Sequence, residues 1–65
     1  MIESRVKTIM KDRGIAIRKL VLETGLSSGT VHRARGDLIE KCTLNTLEKI
    51  ADVLGVGVKD LFVQK

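Results

Sequence analysis

Within one short stretch of this chain, Ser28, Gly29, His32 and Arg33 recur at i, i+1, i+4 and i+5, the spacing that puts side chains on one face of a helix. All four suit contact with the edge of a nucleic-acid base. An arginine such as Arg33 can donate two parallel hydrogen bonds to guanine O6 and N7, a histidine such as His32 can donate to a base or a phosphate, and the short Ser28 hydroxyl pairs with purines or pyrimidines. Gly29 reads nothing itself, but it lets the backbone approach a surface closely, at about 1 kcal/mol of helix propensity relative to alanine. Thr30 and Arg35 in the same stretch, with Arg18 and Lys19 ahead of it, are of the types that hold phosphates, which anchor a duplex without specifying its sequence. The plain alternative for all of these residues is a solvated helix surface.

Other chemistries lack their parts. One cysteine, Cys42, and one histidine, His32, exclude an intramolecular disulfide and a four-ligand zinc site. Nucleophilic hydrolysis needs a base beside a nucleophile, and the sole histidine stands among the residues just described. Gly55-Val56-Gly57 lacks the preceding strand of a phosphate-binding loop, and Phe62, the sole aromatic residue, cannot make a stacking platform for single strands. No enzyme, metal or cofactor is expected.

The elements that position these residues follow from periodicity and glycine placement. The 65 residues, 43% hydrophobic and 31% charged, have globular composition and fit one small domain, 1–65. With no apolar run of signal-core or membrane length and an unpaired cysteine, the chain is expected in a reducing cytoplasm. Breaks fall at Gly14, Gly25, Gly36 and the Gly55/Gly57 pair. Ile2, Val6, Ile9 and Met10 form the stripe of a first helix, and Ile17, Leu20 and Val21 that of a second, over about 16–24. Ser27 is placed to cap a third helix, 28–35, whose apolar face is Val31 and Ala34, and Thr43 to cap a fourth, carrying Leu44, Leu47, Ile50, Ala51 and Leu54. Val58, Leu61 and Phe62 suit a final helical turn or two, and Leu26 a plug between the second and third helices. Leu38, Ile39 and Cys42 predict a 36–42 loop lying against the domain, with Cys42 a small apolar filler. No segment reads as a strand, so the predicted fold is an all-α bundle of four or five short helices.

Two features converge on residues 17–36. A helix-turn-helix needs a glycine-like turn residue, apolar residues that lock two helices together, and an outward polar face on the second. Gly25 supplies the turn, Leu20, Val21, Leu26, Val31 and Ala34 the lock, and Ser28, Gly29, His32 and Arg33 the face. Charge agrees. Residues 1–35 hold eight basic side chains against three acids, whereas 36–65 hold four against five, so the net +4 concentrates in the N-terminal half and points to an anionic partner.

From about Val6 to Phe62 the chain resembles the phage repressor and Cro-type (Xre-type) helix-turn-helix domains. The resemblance lies in Gly14-Ile15, in Leu20-Val21 through Thr24-Gly25-Leu26-Ser27, in Thr30-Val31-His32-Arg33, in Thr43-Leu44-Asn45-Thr46-Leu47-Glu48-Lys49-Ile50-Ala51, and in Leu54-Gly55-Val56-Gly57-Val58-Lys59-Asp60-Leu61-Phe62. It implies a lambda-repressor-like bundle of five short helices, with helices 2 and 3 forming the helix-turn-helix, and sequence-specific binding to duplex DNA that regulates transcription. Position by position, it puts base reading on Ser28, Gly29, His32 and Arg33, and phosphate contacts at the start of helix 2, at Thr30 and after the recognition helix. The chain departs from the family pattern at several places: Ala16 and Ile17 replace a polar cap and glutamine, Val21 a small alanine, Arg35 a common glutamate and Gly57 a Ser or Thr cap, while Gly36 arrives one residue early.

The expected function is a double-stranded DNA-binding transcriptional regulator, a repressor, that inserts residues 28–35 into the major groove. Two rivals stand beside it. One is a protein-interaction module such as the antitoxin of a toxin–antitoxin pair, which the same fold would serve. The other is a non-specific DNA binder, suggested by the short Ser28 and Gly29. The resemblance also implies a homodimer, for which leftover hydrophobicity nominates Val58, Leu61, Phe62 and Val63.

Overall fold

The computed structural model describes residues 2–64, the side chain of Asp37 excepted. In chain order it runs β1 (Ile2–Ser4), α1 (Val6–Arg13), α2 (Ile17–Thr24), α3 (Ser28–Arg35), a 3-10 turn (Asp37–Lys41), α4 (Leu44–Leu54), a second 3-10 turn (Val58–Asp60) and β2 (Phe62–Gln64). The α-helices and the 3-10 turns enclose one apolar core. Val6 and Met10 enter it from α1, Leu20 from α2, Val31 and Ala34 from α3, Ile39 from the first 3-10 turn, and Leu47, Ile50, Ala51 and Leu54 from α4, closed by Leu61. No helix among the described residues is long and apolar enough to cross a membrane.

The helical reading of the sequence stands, with three corrections. The expected final helix is only the single 3-10 turn Val58–Asp60, held by the Asp60 carboxylate accepting from the Gly57 N–H at 3.1 Å. The chain then becomes β2. Neither strand was expected: β1 and β2 pair antiparallel, with Ile2 opposite Gln64, Glu3 opposite Val63 and Ser4 opposite Phe62. Ile2 therefore belongs to this ribbon and not to the first helix, which starts at Val6. Its match to the Val6 stripe is an accident of spacing, because three residues are too few for a period of two to declare itself. The 36–42 segment lies against the domain through buried Ile39, but Leu38 is 52% exposed.

The joint between α2 and α3 is set locally. Gly25 sits at φ +74°, a left-handed conformation that glycine adopts without penalty, and its N–H donates to the Val21 carbonyl at 3.0 Å. Thr24 reinforces the turn from both sides. Its hydroxyl donates to the Leu20 carbonyl and accepts from the Leu26 N–H at 3.2 Å. Ser27 then opens α3 by accepting from the Thr30 N–H at 3.2 Å.

A Cβ added at Gly25 would meet nothing within 4 Å, so replacing it costs only the left-handed backbone. Gly25→Ala is expected to destabilise the fold by about 1 kcal/mol, read as a lower Tm in thermal unfolding. An unchanged Tm would show that the turn does not depend on the positive φ.

Candidate nucleic-acid interface

α3 is divided cleanly along its length. Val31 and Ala34 are 0% exposed and face the core, while Ser28, Gly29, His32 and Arg33 are all exposed. The residues proposed from spacing as a base-reading set thus share one solvent-facing side, as their period requires. The helix beneath them is fixed by the packing of its other side.

The predicted phosphate residues fall into two groups. Arg18 and Lys19 are exposed on the first turn of α2. Ahead of them Ala16 provides no side-chain cap, which leaves first-turn N–H groups, and the positive end of the helix dipole, without a side-chain acceptor. Thr30 is half-buried, its hydroxyl 2.9 Å from that of Ser27, where either can donate. Arg35 is half-buried too, and its Nε is enclosed with no hydrogen-bond partner among the described residues.

One residue beside this face escaped the sequence reading. A shallow hollow of about 230 Å³ at the end of α3 is lined by His32, Arg33, Gly36 and Leu38, so the exposed Leu38 side chain adjoins the proposed readers. Its apolar character predicts only that the loop lies against the domain, and no periodic signal marks a residue in a 3-10 turn. Cys42 lies near by. Partial burial pushes its thiol pKa up, and the Arg33 guanidinium offsets part of that rise.

The sequence profile of the Cro/C1-type HTH DNA-binding domain matches residues 5–64, from just before α1 to the end of β2. The chain belongs to this family. No curated protein matches it. As a Cro/C1-type domain it carries a helix-turn-helix formed by α2 and α3, the pair delimited in the sequence by Gly25 and Ser27. In this Cro/C1-type domain α3 ends at Gly36 with φ −124°, extended backbone rather than a left-handed turn, so the early glycine does not serve as a left-handed cap.

Gly29 is the anomaly of the face. Its φ is not positive, and a Cβ there would touch only the Ser27 Oγ, at 4.0 Å, so nothing inside the protein requires a glycine. Gly29→Ala is expected to stabilise the free domain by about 0.5–1 kcal/mol, measured by denaturant unfolding. Destabilisation would reveal an internal constraint at this position.

Proposed function

We propose that this Cro/C1-type domain is a sequence-specific double-stranded DNA-binding transcriptional regulator, working as a repressor, that inserts α3 into the major groove. One arrangement carries the reading: an exposed stripe of Ser28, Gly29, His32 and Arg33 on a helix whose opposite side, Val31 and Ala34, is fully buried. Backing of this kind matters because base discrimination depends on donors held within hydrogen-bond range of fixed acceptors. Arg33 is assigned the bidentate contact to guanine, and His32 and Ser28 single contacts to bases. Gly29 is assigned close approach of the helix to the groove floor or wall. Arg18, Lys19, Thr30 and Arg35 are assigned to phosphates, joined by the uncapped amides that open α2.

An eight-residue helix spans only a few base pairs, so the working unit is taken to be two copies on half-sites about one helical turn apart. Of the residues nominated for that contact, Leu61 is wholly buried, Val58 and Phe62 are half-buried and Val63 is exposed. Exposed Leu44, at 69%, joins Phe62 and Ile2 around a hollow of about 220 Å³. This C-terminal half is nearly neutral, with four basic and five acidic residues in 36–65, so self-association there meets little repulsion. Sedimentation at high concentration and on bound DNA tests the pairing, and a monomer in both removes it.

Selection of bound duplexes from a random pool, followed by affinity for the winner and a scrambled control across a salt series, tests the regulator itself. A symmetric motif bound at least about 10³-fold tighter than the control is the expected result. Equal binding with a steep salt slope would make this a non-specific binder, and no binding to either would move the function to a protein partner, as in an antitoxin.

On the winning duplex, Arg33→Ala should lose about 1–3 kcal/mol and relax base choice at one position. Equal losses on every sequence would reassign Arg33 to a phosphate. Lys19→Ala should weaken all duplexes evenly and lower the salt slope by about one; an unchanged slope takes Lys19 out of the contact.

A further inference from the structure

The end of α3 is held differently from the ends of the other α-helices. α1, α2 and α4 each finish on a glycine in the left-handed region, Gly14, Gly25 and Gly55. Two N–H groups return to the last carbonyls of α1 and of α4, and at the end of α2 the Gly25 N–H returns to Val21 while the Thr24 hydroxyl of the same helix takes the Leu20 carbonyl. Gly36 after α3 is extended and returns only its own N–H, to the Arg33 carbonyl at 3.2 Å. The next carbonyl, that of Ala34, accepts instead from the Ser4 hydroxyl at 2.5 Å, thirty positions earlier in the chain. That same hydroxyl oxygen accepts from the Val6 N–H at 3.3 Å, as a single Ser Oγ with one proton and two lone pairs can.

Ser4 is also the last residue of β1, opposite Phe62 in β2, and the next residue's N–H, that of Arg5, donates to the Leu61 carbonyl at 2.7 Å. One half-buried hydroxyl therefore joins the terminal ribbon, the start of α1 and the last turn of α3. Ala34 is 0% exposed. A carbonyl at such a residue is poorly placed to take water in exchange, so losing its partner is costly.

From this geometry we infer that Ser4 is a positioning residue for DNA reading: through the Ala34 carbonyl it sets the C-terminal end of α3, where His32 and Arg33 project. The inference rests on the regulator reading above for its consequence, though not for the hydrogen bond. Ser4 is assigned no contact with a base or phosphate; its hydroxyl is engaged by the Ala34 carbonyl and the Val6 N–H. Its loss should reduce discrimination between duplexes while leaving charge-driven binding to any duplex intact.

Two measurements on Ser4→Ala, with Ser4→Thr as the variant that keeps the hydroxyl, test this. Amide hydrogen exchange on the free protein should speed up about tenfold or more in the last turn of α3 while α2 and α4 keep their protection. The ratio of affinities for the selected and scrambled duplexes should fall by about tenfold, roughly the effect of one lost base contact, with scrambled-duplex affinity and its salt slope unchanged. Ser4→Thr should restore both. If Ser4→Ala fails to fold, the near-isosteric weak donor in Ser4→Cys is measured in the same way. An unchanged ratio in a folded variant overturns the inference, as does a loss shared equally by both duplexes. If the unaltered protein itself shows no preference among duplexes, it is the regulator reading that fails. The exchange data then decide the Ser4 link: selective opening of the α3 end upholds it, and undisturbed exchange overturns it.

Discussion

A helix of eight residues in water does not hold itself together, because nucleation is costly and isolated helices shorter than about 12–15 residues are marginal even with good formers. Three of the four α-helices among the described residues have that length, so each exists only as far as tertiary contacts hold it. The contacts that matter most are the small set of side chains at or near zero exposure, Val6, Leu20, Val31, Ala34, Ile39, Ile50, Leu54 and Leu61. Val31 and Ala34 illustrate the constraint well. They are the whole buried face of α3 and decide which side of the helix meets the core, while its two ends are tied down separately. Ser27 and Thr30 fasten the first end with a local cap, and Ser4 fastens the second from the far side of the molecule.

The parts of this arrangement visible in the sequence were those decided within a few residues. Ser27 opens α3, Gly25 marks the turn, and Thr43 and Gly55 bracket α4, because caps and left-handed glycines act on their own neighbours. Gly36 also marks the end of α3 at Arg35, as a helix breaker in extended backbone. The solvent-facing side of α3 was legible for the same reason, since Val31 and Ala34 fix which way the helix faces. The ribbon was not. Ile2–Ser4 and Phe62–Gln64 become strands only because they meet each other, and neither carries enough residues to advertise a strand period alone. The Ser4 to Ala34 bond is invisible for a related reason: a serine and an alanine thirty positions apart carry no mark of being partners.

Leu38 and Gly29 show two further limits. Apolar residues in a loop predict that it lies against the domain without saying which of them is covered, and Leu38 stands exposed beside His32 and Arg33, where it adds an apolar spot to a polar face. Gly29 was conspicuous in the sequence, and the structure sharpens the puzzle by removing the internal explanations: there is no positive φ and no neighbour in the way. A weak helix former on the solvent-facing side of a helix backed by only two small buried side chains is a local conflict of the sort expected where a surface has work to do besides folding.

The ribbon also has a mechanical side. Ile2 lies opposite Gln64, so the two ends of the described chain leave from the same place, and tension applied between them loads the ribbon from its open end. Antiparallel strands loaded in that way separate one pair after another, like a zipper, rather than resisting together. Ile2 would part from Gln64 first and Ser4 from Phe62 last, with the hydroxyl that reaches Ala34 standing at the inner stop. A modest pull on the ends is thus spent on the outer pairs before it reaches the end of α3.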